Sequence, residues 1–141
     1  MSAKEYLLQI RRIQILIRQT QDEMEEIKTL LGPQGLSYDK ISSSPSLADY
    51  DSKMLELIIR LSDRQNVLNE YLIELSRKQA EIKKTLYRIN NPEEIEVLYR
   101  RYFLWQHWED IAEELNYSLS YTFRLHRSGL NDLEKHLEKY E

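Results

Sequence analysis

The chain has 141 residues, no cysteine, three glycines and three prolines, and a formal net charge of −4. Absence of cysteine excludes a disulfide framework and a thiolate metal site, and fits a reducing cytosol. The abundance of Glu, Leu, Ile, Lys and Arg favours long helices over sheets. MSAKEYLLQIRRIQ carries charge too early for a signal peptide, and no apolar run approaches the roughly 18 to 20 residues of a membrane helix. The expectation is a cytoplasmic protein without a membrane partner.

In chain order, the first pattern is a heptad seam: Tyr6, Ile10, Ile13, Ile17, Thr20, Met24, Ile27 and Leu31, at alternating steps of four and three. It predicts a helix from about Ala3 to Leu31, ended by Gly32-Pro33. Residues 32–48, GPQGLSYDKISSSPSLA, read as a surface linker or as a contact loop that orders on a partner.

A second seam follows at Met54, Ile58, Leu61, Gln65, Leu68, Leu72, Leu75, Gln79, Ile82, Leu86 and Ile89. Ser46 with Asp49 is a candidate cap at its start, and Asn90-Asn91-Pro92 closes it. Some 40 residues at about 1.5 Å each make a rod on the order of 60 Å. The two rods most simply fold back as an antiparallel hairpin over residues 1–90. The second is longer by roughly two heptads, so Leu75 to Ile89 should lack cover from the first. Either the C-terminal helices or a second copy of the chain should pack there. Gln65 and Gln79 on the seam are of the kind that fixes register or partner number. A homodimer is the expected state.

Residues 91–141 predict three shorter helices. Asn91 caps one beginning at Pro92 and ending near Phe103, with Glu94 in capping-box position. The next runs from Trp108 to Leu115, Asn116-Tyr117 makes the turn, and Ser118 caps the last, which runs to about Leu137. Ile111, Ala112, Leu115, Tyr117, Thr122, Leu125, Gly129 and Leu133 should face inward, and Trp105 and Trp108 should anchor the core. This is a helix-turn-helix pattern, in which the second helix enters the major groove of DNA. The expected class is all-α: a long helical hairpin followed by a three-helix module.

WEDIAEELNYSLSYTFRLHRSGLNDLEKHL, starting at Trp108, resembles region four of bacterial sigma factors. The whole chain resembles the ArpU-like or RinA-like small late transcriptional regulators of phages. The likeness rests on SSSP at 42–45, NPEEIEVLYRRYF at 91–103, WEDIAEELNYS at 108–118 and RLH at 124–126. It implies sequence-specific binding of double-stranded DNA and phage gene control in a bacterial host. Leu119, Ser120, Phe123 and Arg124 would then face the bases. Family members place arginines just after the capping serine, where this chain has Leu119 and Ser120. Arg124 is the one cation of the four, suited to a guanine edge; Ser120 suits a base or phosphate, and Phe123 a thymine methyl.

Charge is distributed against that reading. Residues 1–91 hold 14 basic and 13 acidic side chains, whereas residues 92–141 hold 6 and 11. Phosphate contacts would come from Ser118, Tyr121 and Arg127, from Arg100 and Arg101, and from the basic stretch RKQAEIKKTLYR (77–88) with Lys83 and Lys84. Read blandly, that stretch is a solvated face with helical ion pairs such as Glu74–Lys78. The acidic face of Glu109, Asp110, Glu113 and Glu114 opens a second reading, a protein module engaging RNA polymerase or another basic partner. His107 and His126 read as satisfied surface or capping histidines. No Gly-rich phosphate loop, HExxH pair or His–carboxylate cluster points to catalysis, a metal or a cofactor.

Overall fold

A computed structural model describes residues 1–35 and 47–138, with side chains described for 1–32 and 51–137. The proposed Ser46–Asp49 cap and most of the 32–48 segment lie outside them. The protein is all-α. Its helices are α1 (Ala3–Gly35), α2 (Leu47–Leu86), α3 (Pro92–Tyr102), α4 (Trp108–Leu115) and α5 (Leu119–Glu138). In α1 the expected stop at Gly32 is a break inside the element, with φ at 58° and ψ at 162°, a backbone state open mainly to glycine.

The chain divides into two compact units, Met1–Gln14 with Glu74–Glu141, and Ile15–Ile73. These boundaries differ from a division at residue 90. They fall inside α1 and α2, because the ends of both long helices share a core with the C-terminal helices.

In the Ile15–Ile73 unit, Ile17, Thr20, Met24 and Ile27 are buried from α1, and Leu68 from α2. Leu31 lies beside Met54 and Leu57, Met24 beside Leu61, and Glu23 faces Arg64 at 3.7 Å. The two helices therefore run in opposite directions here. The inward face of α2 differs from the expected seam. Met54, Leu61 and Leu68 face in, but their companions are Leu57, Arg64 and Tyr71. Ile58 and Leu72 are 42% and 45% exposed, and Gln65 lies on the surface, donating to Asn69 Oδ1 at 3.0 Å. Arg64 and Tyr71 are half-buried there. Side chains of this kind bury a stem or ring while the polar end stays in water, so an apolar count passes over them.

In the other unit one core gathers Ala3, Tyr6, Leu7 and Ile10 of α1, Ile82, Leu86 and Ile89, Leu98, Tyr102 and Phe103, and Leu133 of α5. The stretch Leu75 to Ile89 is covered from within the chain, by one of the two expected candidates and by α1. The C-terminal helices pack on it, and α1 reaches it too, with the Tyr6 hydroxyl 3.0 Å from Thr85 Oγ1. The predicted lack of cover from the first helix is thus corrected. Gln14 Nε2 adds a bond to the Phe103 carbonyl at 3.3 Å.

Candidate nucleic-acid interface

The three C-terminal helices form as their local chemistry directs. Asn91 Oδ1 accepts from the Glu93 amide at 2.9 Å, and Pro92 begins α3, where its missing N–H costs nothing. Glu94 turns inward: it is buried, and Ser128 Oγ donates to its Oε1 at 2.5 Å. Asn116 closes α4 in the left-handed conformation (φ 58°, ψ 40°), and the Tyr117 amide donates to the Ala112 carbonyl at 2.9 Å. Ser118 Oγ accepts from the Tyr121 amide at 3.1 Å and so starts α5. Val97, Ile111 and Leu125 lock α3, α4 and α5 together, with Trp108, Leu115, Tyr117 and Tyr121 around them.

Gly129 is buried where α3 crosses α5. A Cβ there would lie 3.0 Å from Leu98 Cδ1 and 3.3 Å from Glu94 Cβ, tight enough that Leu98 would have to give way, so glycine suits this close crossing. All eight residues expected to face inward around the turn are buried or half-buried.

On the outer side of this turn, Leu119, Ser120, Phe123 and Arg124 are exposed together on the first turns of α5. Phe123 also packs edge-on against Trp108, ring centroids 5.1 Å apart, yet stays 38% exposed. Ser118 uses its oxygen as the cap. Tyr121 is half-buried and donates to Glu93 Oε2 at 2.7 Å, and that carboxylate holds its phenol above the ordinary range. Arg127 is exposed.

The basic residues named from sequence are not gathered at one place. Arg100 is engaged internally: its Nε donates to Glu96 at 2.7 Å and its Nη1 to Glu114. Lys83 lies over the rings of Tyr87 and Tyr99, at 5.7 and 5.6 Å. Lys84 borders an open cavity of about 470 Å³ shared with Tyr6, Glu81, Thr85, Arg88 and Leu137. Leu137 is at the far end of α5, about 27 Å along the helix from Leu119 at 1.5 Å per residue. Lys84 therefore sits away from the exposed first turn. Lys78 pairs with Glu81 at 3.4 Å, not with Glu74.

Arg101 belongs to a stack that spacing did not reveal. Its guanidinium lies over Trp105 at 4.7 Å and over Trp108 at 4.8 Å, and its Nη1 donates to the Gln106 carbonyl at 2.9 Å. Arg11, from α1, lies over the same Trp105 ring at 4.5 Å. Trp108 in turn meets His126 at 4.6 Å as well as Phe123. Trp105 takes a positive φ of 56°, rare for a bulky residue. The two guanidinium contacts offset that cost, each being worth about 0.5–2 kcal/mol. His126 is half-buried, stacked on Tyr102, and its Nε2 is 2.8 Å from the Tyr102 hydroxyl. Burial, then the nearby charges of Lys4, Arg101 and Arg127, lower its pKa to about 4. His107 is exposed at the start of α4 and makes no side-chain cap bond.

No protein-family model matches this chain, and neither a curated protein nor a solved structure resembles it at a significant level. Among the described residues no helix is long and apolar enough to cross a membrane, and no cluster of His, Asp and Glu is arranged to hold a metal ion.

Proposed function

We propose that this chain is a phage or prophage transcriptional regulator that reads double-stranded DNA, as a homodimer, with the first turns of α5. The observation that carries the reading is the α4–α5 corner. A left-handed Asn116 and a capping Ser118 turn the chain between two interlocked helices and leave Leu119, Ser120, Phe123 and Arg124 together in solvent. That is the arrangement a recognition helix needs to reach base edges. Arg124 makes no ion pair among the described residues, so its guanidinium is available for a guanine edge.

Fluorescence anisotropy against fragments of the genome that encodes the protein tests this, at about 50 and 200 mM salt, where phosphate contacts show themselves. Selective binding that weakens with salt is expected. Arg124→Ala should then cost about 1–3 kcal/mol of discrimination at one position of the site. Equal affinity for every fragment, unchanged by Arg124→Ala, would overturn the assignment.

A second reading has its own observation. Glu109, Asp110 and Glu113 are exposed on α4 without an ion pair among the described residues. They form an acidic face suited to a basic partner such as RNA polymerase. Co-purification with polymerase from DNA-free extract, lost on Asp110→Lys with Glu113→Lys, would favour that reading.

A further inference from the structure

Four cations, Lys4, Arg11, Arg101 and Arg127, lie around His126 and the aromatic stack beside it without a carboxylate partner among the described residues. They come from three different helices, or their ends. Arg11 and Arg101 share the Trp105 ring, Arg101 also covers Trp108, and Trp108 touches both Phe123 and His126. The contacts run unbroken from the reading turn of α5 to the third turn of α1. Lys4 lies close enough to His126 of α5 for its charge to act on that ring. Lys4 and Arg127 are exposed and the two stacked arginines are half-buried.

Holding like charges together costs free energy unless counter-charge is supplied. Some cations of this unit have it: Arg100 has Glu96 and Glu114, Lys78 has Glu81, and Lys135 has Asp132. These four have none; burial first, and then the charges of Lys4, Arg101 and Arg127, lower the pKa of His126 beside them. Stacking also leaves a guanidinium's edge free to donate to oxygen while its faces stay on the indoles.

Resting on the reading of α5 as a DNA-facing helix, we infer that Lys4, Arg11, Arg101 and Arg127 form a phosphate grip for the duplex backbone that flanks the site entered by α5. The N-terminal helix thus takes part in DNA binding directly. The grip supplies charge that the sparse recognition turn lacks, and Arg101 with Arg11 is joined to that turn through Trp108 and Phe123. Lys83 and Lys84 stand outside this stack: Lys83 lies over Tyr87 and Tyr99, and Lys84 borders the cavity that Leu137 lines.

The test is salt-dependent binding of the full-length chain to a non-specific duplex and to its best genomic fragment. Three forms are compared: wild type, Lys4→Ala with Arg11→Gln, and Lys83→Ala with Lys84→Ala. Thermal melts establish that each is folded. Lys4→Glu alone serves as a second probe, since Lys4 is exposed and its change leaves the stack intact. The Lys4/Arg11 variant should lose about tenfold in affinity for both duplexes at about 0.1 M salt, and its salt slope should fall by about 2. The Lys83/Lys84 variant should match wild type. A folded Lys4/Arg11 variant and a Lys4→Glu variant that both bind like wild type would overturn the grip while leaving DNA reading intact. A wild type that binds no duplex even at about 50 mM salt would overturn both. Loss of an acidic protein partner with unchanged duplex binding would also overturn the grip.

Discussion

The Tyr102 hydroxyl and His126 Nε2 share a hydrogen bond of 2.8 Å while their rings stack with centroids 5.8 Å apart. Tyr102 is buried, and burial pushes its phenol pKa up. His126 is pressed the other way, to about 4, by burial and by Lys4, Arg101 and Arg127. An imidazole kept neutral in this setting links stability to pH. Its folded pKa lies below the unfolded value of about 6.5, so between those values the unfolded chain binds the extra proton. The stabilisation is therefore full above about pH 6.5 and is lost as pH falls toward 4. Discounted for partial exposure, it is on the order of 2 kcal/mol. Denaturant melts at pH 7 and pH 5 should show a marked loss for wild type and a flatter profile for His126→Phe. Equal pH dependence in both would show that His126 is not the titrating group.

Glu94 carries the opposite sign. Burial raises its pKa, and Asp132 nearby raises it further against the lowering effect of Ser128. A raised carboxyl pKa stabilises the fold below the unfolded value of about 4.3, and that contribution disappears as pH climbs through the folded value. One of its oxygens, Oε2, is buried and unpaired, so charge placed there is poorly compensated. Glu94→Gln should therefore raise Tm at pH 7 by a few degrees, about 0.5–1.5 kcal/mol for a satisfied neutral amide. The gain should vanish near pH 4. A lowered Tm at pH 7 would mean that the charge, not the shape, is what this site holds.

Much of this architecture was legible in the sequence, and the misses have physical causes. α1 buries its heptad positions from Tyr6 to Ile27, because all but Thr20 are apolar side chains at coiled-coil spacing. The α4–α5 corner was readable from Asn116, Ser118 and the small Ala112, each of which has a local job. The inward face of α2 was half-readable, since Arg64 and Tyr71 bury part of themselves where Ile58 and Leu72 do not. At the candidate site, sequence placed the exposed turn of α5 but not its charged surroundings. Arg100 and Arg101 are neighbours with different fates: one is neutralised by Glu96 and Glu114, the other stacked between two indoles. Nothing local in the chain tells them apart, and nothing links Arg11 to Trp105, 94 positions away.

Gly129 offers a direct test of how tightly α3 and α5 are joined. In an open helix Gly→Ala gains up to about 1 kcal/mol. Here the added methyl would meet Leu98 Cδ1 at 3.0 Å and Leu98 Cγ at 3.3 Å, so Leu98 must move or the helices must part. Overpacking of this kind costs about 1–3 kcal/mol, which outweighs the helical gain. Gly129→Ala should lower stability by about 1–2 kcal/mol in urea melts, and Gly129→Val by more. Gly129→Ala with Leu98→Val should recover part of the loss. A stabilised Gly129→Ala protein would show that Leu98 or the helix pair gives way without cost.

The dimer reading has a natural seat in the Ile15–Ile73 unit. On the outer face of α2, Leu55, Ile59, Ser62, Asn66, Asn69 and Ile73 repeat at alternating steps of four and three, a second heptad row opposite the one packed on α1. Leu55, Ile59 and Ile73 are 58%, 53% and 60% exposed, and Ile58 and Leu72 flank them. A second copy of the same row is a suitable cover. It matches the spacing, and it sets the amides at the row's centre against one another, where they can hydrogen-bond and fix register. Ile59→Asp should then weaken the dimer at least about tenfold, because a carboxylate buried without a partner is costly. Stability of the monomer should change by less than about 0.5 kcal/mol, as expected of an exposed position. Sedimentation velocity across a concentration series reads the association, and urea melts at low concentration read the monomer. A dimer that survives both Ile59→Asp and Ile73→Asp would move the interface elsewhere. A wild type that stays monomeric at all concentrations would leave α5 to read DNA as a single copy, with half-site symmetry absent from its target.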